Sequence, residues 1–232
     1  MSVNPHQKAY LDAMGISVWC ARPSSSAQTI DSPTASVVEN VINQTQDVSK
    51  SWDELQSEVS GCQACELHKT RKNTVFGVGS PQANLLIIGE APGRDEDIKG
   101  EPFVGRAGQL LDKMLFSIGL SRDVVFIANI LKCRPPNNRD PKKEEAVACA
   151  SFLRRQIEII QPKVILAVGR VSAQNLLETD TPIGKLRGKI HTYGNEKIPM
   201  LATYHPAYLL RSPSEKRKAW MDLLTVKNIL HS

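Results

Sequence analysis

The stretch that most limits how this chain can fold is Gly89-Glu90-Ala91-Pro92-Gly93-Arg94-Asp95-Glu96-Asp97, continued by Gly100-Glu101-Pro102-Phe103-Val104-Gly105-Arg106-Ala107-Gly108. An apolar run, Leu85-Leu86-Ile87-Ile88, enters it, and an amphipathic run from Gln109 to Leu115 leaves it. The order is strand, glycine- and acid-rich loop, helix. In an open α/β sheet such a loop stands at the carboxyl end of a strand, where ligands bind. Its glycines let backbone amides come close to a ligand. Glu90, Asp95, Glu96 and Asp97 would repel an anion, and no Gly-Lys-Ser/Thr follows, so a nucleoside triphosphate loop is not supported. The loop reads as a site for a polar, largely neutral ligand. The plainer reading is an acidic surface loop.

Apolar runs at Asn84–Ile88, Val124–Ala128, Val164–Val168 and Ile198–Thr203 predict four core strands, with a short edge strand over Arg187–Tyr193. Helical patterns fall between them, over Ala107–Ile118, Glu144–Ile160, Val171–Leu177 and about Ser214–Leu230. Strands alternating with helices predict a parallel sheet covered on both faces. The fold class is therefore α/β, a three-layer α/β/α arrangement around a central, mostly parallel four-stranded sheet. Glu90, Asn129, Arg170 and His205 each follow the end of an apolar strand. A parallel sheet brings those ends to one edge, so residues distant in sequence can line one pocket. A lone histidine after a strand is more often structural; four polar residues at four strand ends favour the pocket.

A length of 232 residues fits one sizeable domain and an appendage. Residues 1–20 hold a short N-terminal docking motif. Residues 21–50, rich in Ser, Thr, Gln and Asn, lack the apolar period that offsets ordering entropy and read as a flexible linker. Ser51-Trp52-Asp53-Glu54 has the form of a capping box, so residues 51–232 form the main domain. The net charge of +5 suits a polyanionic partner only where it clusters, as in the proline-stiffened stretch Lys132–Lys143. No apolar stretch approaches the ~20 residues that span a bilayer, and no secretory signal opens the chain. The expectation is a cytoplasmic protein with no membrane association, read as a monomer.

Five cysteines occur. An odd count with four in two separated pairs suits a metal or cluster site in a reducing compartment better than a disulfide framework. Cys62-x2-Cys65 is a metal-type spacing; Cys133 and Cys149 form the second pair. Zinc and iron-sulfur clusters both accept thiolates, and spacing does not choose between them. No acid or base stands beside these cysteines, so the role is structural. Cys20 is left over.

Gly89-Glu90-Ala91-Pro92-Gly93, Pro102-Phe103-Val104-Gly105, Asn129 to Arg134 before two prolines, and His205-Pro206-Ala207-Tyr208-Leu209-Leu210-Arg211 resemble family 4 uracil-DNA glycosylases over about residues 54–230. The resemblance implies that Cys62, Cys65, Cys133 and Cys149 hold a 4Fe-4S cluster, with zinc as the fallback. It implies excision of uracil from single- and double-stranded DNA by hydrolysis of the N-glycosidic bond, initiating base excision repair. In that reading Phe103 stacks on an extruded uracil and Asn129 reads its O4 and N3 edge. Backbone groups of Gly89, Glu90 and Ala91 hold the base and the water, and His205 donates to O2. Family 1 relatives carry an aspartate where this chain has Ala91, so leaving-group stabilisation carries more of the rate. Glu96 and Glu90 are candidates to orient the loop or the water. Leu209 is expected as the wedge that fills the vacated stack. Arg211, with Lys216, Arg217, Lys218 and the Lys132–Lys143 loop, is expected at DNA phosphates.

Leu11 to Trp19 also resembles the N-terminal peptide of the DNA polymerase III psi subunit that docks on the chi subunit, which implies a replicative partner bound through residues 10–19. The competing readings are a non-catalytic iron-sulfur or zinc DNA-binding module, and a tight uracil-DNA binder. Covalent trapping is disfavoured because no histidine lies between His68 and His191.

Overall fold

The structure, a computed structural model, describes residues 51–232. The expected docking motif, the linker and Cys20 lie outside the described residues. Helix α1 covers 51–61. Its first described residue, Ser51, is already helical, so the expected cap falls at that boundary.

Six strands form one sheet: β1 (Val78–Gly79), β2 (Leu85–Gly89), β3 (Phe126–Asn129), β4 (Val164–Val168), β5 (Ile190–Tyr193) and β6 (Ile198–Thr203). Their spatial order is β1-β3-β2-β4-β6-β5. The four inner strands run parallel and are the four apolar runs of the sequence. β1 and β5 pair antiparallel at the two edges. The sheet therefore has six strands, not four. β5 is the edge strand the sequence announced, whereas β1 is two residues long with no apolar run to reveal it.

Side chains alternate across a strand, and here both sides are buried. Leu86, Ile88, Phe126, Ala128, Ile165 and Ala167 meet Leu55 and Val59 of α1 and Leu153 and Ile157 of α4 (Lys143–Ile160). Leu85, Ile87, Ile127, Leu166 and Leu201 meet Leu111 and Leu115 of α3 (Arg106–Ser117) and Leu223 and Val226 of α8 (Lys216–His231). Each of the Leu, Ile, Val and Phe side chains among these contributes ~1.5–3 kcal/mol relative to exposure. The result is three layers, helix on sheet on helix.

Three short helices follow later strands: α5 (Arg170–Leu176), α6 (Ile183–Leu186) and α7 (Pro206–Arg211). A further one, α2 (Arg94–Lys99), lies inside the acid-rich loop. Its sequence has a single apolar residue, Ile98, which is why it reads as loop. Asp97, 3 % exposed, fixes it by accepting from the Lys72 N–H at 2.8 Å. No helix among the described residues is long and apolar enough to cross a membrane.

Candidate active site

Gly89 and Asn129 are register partners at the carboxyl ends of β2 and β3. A Cβ on Gly89 would lie 2.7 Å from Phe103 Cζ and would collide with Asn129 Oδ1. Glycine there lets an aromatic ring and a carboxamide close over the same strand end. The Phe103 ring in turn stacks near His205, with centroids 5.6 Å apart and planes 28° apart. Three residues from widely separated segments thus surround the mouth of β2.

The segment carrying Phe103 is held under strain. Its φ is +54°, which costs a non-glycine residue about 1–3 kcal/mol. Arg122 offsets that cost: Nη1 donates to Phe103 O at 3.1 Å and Nη2 to Pro102 O at 2.7 Å. Asp112, 3.0 Å from Nη1, orients the guanidinium. Gly108 is required behind it, because a Cβ there would collide with the Phe103 carbonyl. Glu96 secures the following residues, its Oε1 accepting from the N–H groups of Val104 at 3.0 Å and Gly105 at 3.2 Å. The carboxylate is thus engaged as a loop holder.

His205 caps α7. Its Nδ1 accepts from the Ala207 N–H at 3.1 Å, which leaves the ring proton on Nε2. Burial, reinforced by the charge of Arg211 and opposed by Glu96, pushes its pKa down to about 4. The ring is a neutral Nε2–H donor at any physiological pH. Behind it, Thr203 Oγ1 donates to Asp222 at 2.8 Å, and Arg187 pairs with Asp222 at 2.6 Å, tying the end of β6 to α8.

Glu90 is half-buried. Burial, with the Asp140 charge added and Arg170 opposing, raises its pKa to about 7. Arg170 is itself exposed and pairs with Asp140 at 2.5 Å. Of the four polar strand-end residues, Arg170 therefore stands on the flank, not with the Phe103 ring. Ala91 is half-buried beside Glu90 and adds no titratable group there.

On the opposite face of the sheet, Cys62, Cys65, Cys133 and Cys149 line one cavity together with Arg71, Leu131 and Phe152. Arg71 Nη1 donates to Cys133 Sγ at 3.0 Å, and the Lys132 N–H to Cys149 Sγ at 3.3 Å. Burial pushes the Cys133 thiol up and that of Cys149 to about 11, so thiolates there require positive charge nearby. Four cysteines lining one cavity, with N–H donors on two of their sulfurs, fit a thiolate-ligated group. Among the described residues, no group of three or more His, Cys, Asp or Glu is set to hold one metal ion.

Residues 76–224 match the family model of the uracil DNA glycosylase superfamily. The chain belongs to that superfamily. It is 50 % identical over 179 residues to the type-4 uracil-DNA glycosylase of Archaeoglobus fulgidus, covering 75 % of this chain and 90 % of the relative. The type-4 enzyme of Saccharolobus solfataricus is 47 % identical over 78 % of this chain and 87 % of its own. That of Thermotoga maritima is 46 % identical over 68 % and 82 %.

Within this superfamily member two positions besides Arg170 differ from expectation. Leu209, expected as a wedge, is 1 % exposed and packs with Phe103 and Leu223 in the core. A helix shows different faces at successive residues, so Tyr208 and Leu210 point outward instead, at 36 % and 42 % exposed. Lys132, expected in a phosphate-contacting loop, is 1 % exposed and cannot reach DNA. Lys142, Lys143, Arg211, Lys216 and Arg217 are exposed. The supporting residues Arg122, Asp112 and the Thr203–Asp222–Arg187 chain were missed. Lys132 carried a signal, as a lone charge between apolar Ile130-Leu131 and Cys133.

Proposed function

We propose that this chain is a monofunctional uracil-DNA glycosylase that hydrolyses the N-glycosidic bond of deoxyuridine in DNA and so initiates base excision repair. The observation that carries this reading is the meeting of Phe103, Asn129 and the neutral Nε2–H of His205 around Gly89. A base cannot be reached inside a duplex and must be extruded, at a cost of about a few kcal/mol. An extruded uracil stacks on Phe103. The Asn129 carboxamide donates to O4 and accepts from N3–H. Cytosine presents the opposite pattern and leaves buried groups unpaired, at ~1–3 kcal/mol each.

As the bond to the sugar breaks, the sugar becomes cation-like and charge collects on uracil O2. The His205 Nε2–H meets that charge, and a donor already in place is worth ~3–4 kcal/mol. Glu90 is suited to orient water, since it ionises near neutrality, while Glu96 holds the Phe103 loop. Backbone groups of Gly89, Glu90 and Ala91 border the base edge. Leu210 is the outward apolar side chain of α7 available to fill the vacated stack, with Arg211, Lys216 and Arg217 toward phosphates.

Cys62, Cys65, Cys133 and Cys149 would hold a 4Fe-4S cluster, which when bound supplies a cross-link between the segment after α1 and α4. Phe103 packs on the other face of the sheet, with His205 stacked beside it. The reading extends to a catalytic domain over residues 51–232, a monomer in the reducing cytoplasm, and residues 10–19 as a docking peptide for the clamp-loader chi subunit. Pull-down of chi by a peptide of residues 1–25, lost on Trp19→Ala, tests the last point. Release of free uracil from a uracil-containing oligonucleotide tests the main one. A protein that binds the oligonucleotide but releases no base is a binding module instead.

A further inference from the structure

We infer that Lys132, together with Gln156, is a positioning residue that fixes the Asn129 carboxamide for base reading from the opposite face of the sheet. The inference rests on the reading of Asn129 proposed above.

The pairing of β1 with β3 ends at Val78 and Ile127, so the Asn129 carbonyl lies beyond that ladder. Lys132 Nζ donates to it at 3.1 Å. The other two donors of the ammonium go to Gln156 Oε1 at 2.6 Å and Phe76 O at 3.4 Å. Gln156 Nε2 donates to the same Phe76 carbonyl at 3.0 Å. Lys132 is 1 % exposed and Gln156 is 0 % exposed. The partners of the ammonium are two backbone carbonyls and a carboxamide, with no carboxylate among them. An isosteric methionine would fill this space without the desolvation cost of a charge. The Cys149 thiolate is the opposite charge beside the ammonium, and the hydrogen bond from Nζ to the Asn129 carbonyl stands where a ladder bond is missing, at the residue whose side chain faces the base. On the other edge, Ile130 N–H and Leu131 N–H donate to Gly89 O and Glu90 O at 3.0 and 3.1 Å. The end of β3 is thus held from both sides, with Asn129 between the two sets of bonds. The backbone N–H of the same lysine donates to Cys149 Sγ, and a side-chain substitution leaves that bond in place.

The test is single-turnover uracil release from a single-stranded uracil oligonucleotide by the full chain, purified anaerobically, as Lys132→Met, Asn129→Ala and the double variant. Lys132→Met is expected to slow the chemical step about 10–100-fold, with oligonucleotide affinity within about threefold and iron content unchanged. Because the lysine acts through Asn129, the double variant is expected to be no slower than Asn129→Ala alone, within about twofold. Gln156→Met is expected to slow the step in the same direction by a smaller factor, again only where Asn129 is present. If Lys132→Met does not fold, Gln156→Met decides alone. Wild-type rates in the Lys132 and Gln156 variants, slowing that multiplies on the Asn129→Ala background, or a rate loss that follows iron loss each overturn the inference. A wild-type rate in Asn129→Ala overturns the underlying reading of Asn129, and is distinguished by that single variant.

Discussion

At the scale of single residues, His205 and Glu90 are tuned in opposite directions by the same cause. Burial disfavours the charged form of each, so the imidazole stays neutral down to about 4 and the carboxyl holds its proton up to about 7. Replacing His205 with serine removes the O2 donor and is expected to lower the single-turnover rate about 10²–10³-fold while oligonucleotide affinity is retained; a variant of equal rate removes His205 from the mechanism. The pH profile separates the two groups. His205 protonates only near 4, so it contributes no limb around 6.5. Glu90 ionises through about 7, so the rate is expected to climb with pH through that point. Glu90→Gln should flatten the climb, and an unchanged limb in that variant would assign it to another group.

At the scale of elements, the end of β6 and the short helix after it decide which residue faces DNA. Leu209 belongs to the core and Leu210 to the surface. Leu209→Ala is expected to cost ~2–5 kcal/mol of stability, read from denaturant unfolding. Leu210→Ala is expected to leave stability within about 0.5 kcal/mol and to slow uracil release from duplex more than from single-stranded DNA. The reverse pattern would return the wedge to Leu209. The inner strands were legible because Leu85–Ile88, Val164–Val168 and the others are apolar on both faces, a pattern few other elements share. His205 and Asn129 were legible as polar residues at the ends of those runs. β1, α2 and α7 were not, because elements of two or six residues are too short to carry a period. The choice between Leu209 and Leu210 was equally hidden, since both are leucine and only the phase of α7 separates them. Arg122 and Asp222 act through backbone carbonyls and a hydroxyl that no linear pattern brings together.

At the scale of the whole molecule, the sheet divides labour between its two faces. One carries Phe103, Asn129 and His205 at its edge. The other carries the four cysteines, through which the proposed cluster would connect the segment after α1 to the loop after β3 and to α4. Losing that connection is expected to loosen the molecule before it touches the chemistry. Cys133→Ser should lose iron and unfold at a temperature several degrees lower, since about 1 kcal/mol shifts the midpoint by roughly 2–4 °C at this size. Full iron content and unchanged unfolding in that variant would remove Cys133 from the ligand set. The most direct check on the account as a whole is a crystal structure of the protein with uracil bound. The account predicts the base stacked on Phe103, with its O2 within hydrogen-bond reach of His205 Nε2 and its O4 and N3 edge on the Asn129 carboxamide. Uracil seated away from these three side chains, for instance in the groove between α4 and α5 beside Arg170, would contradict it.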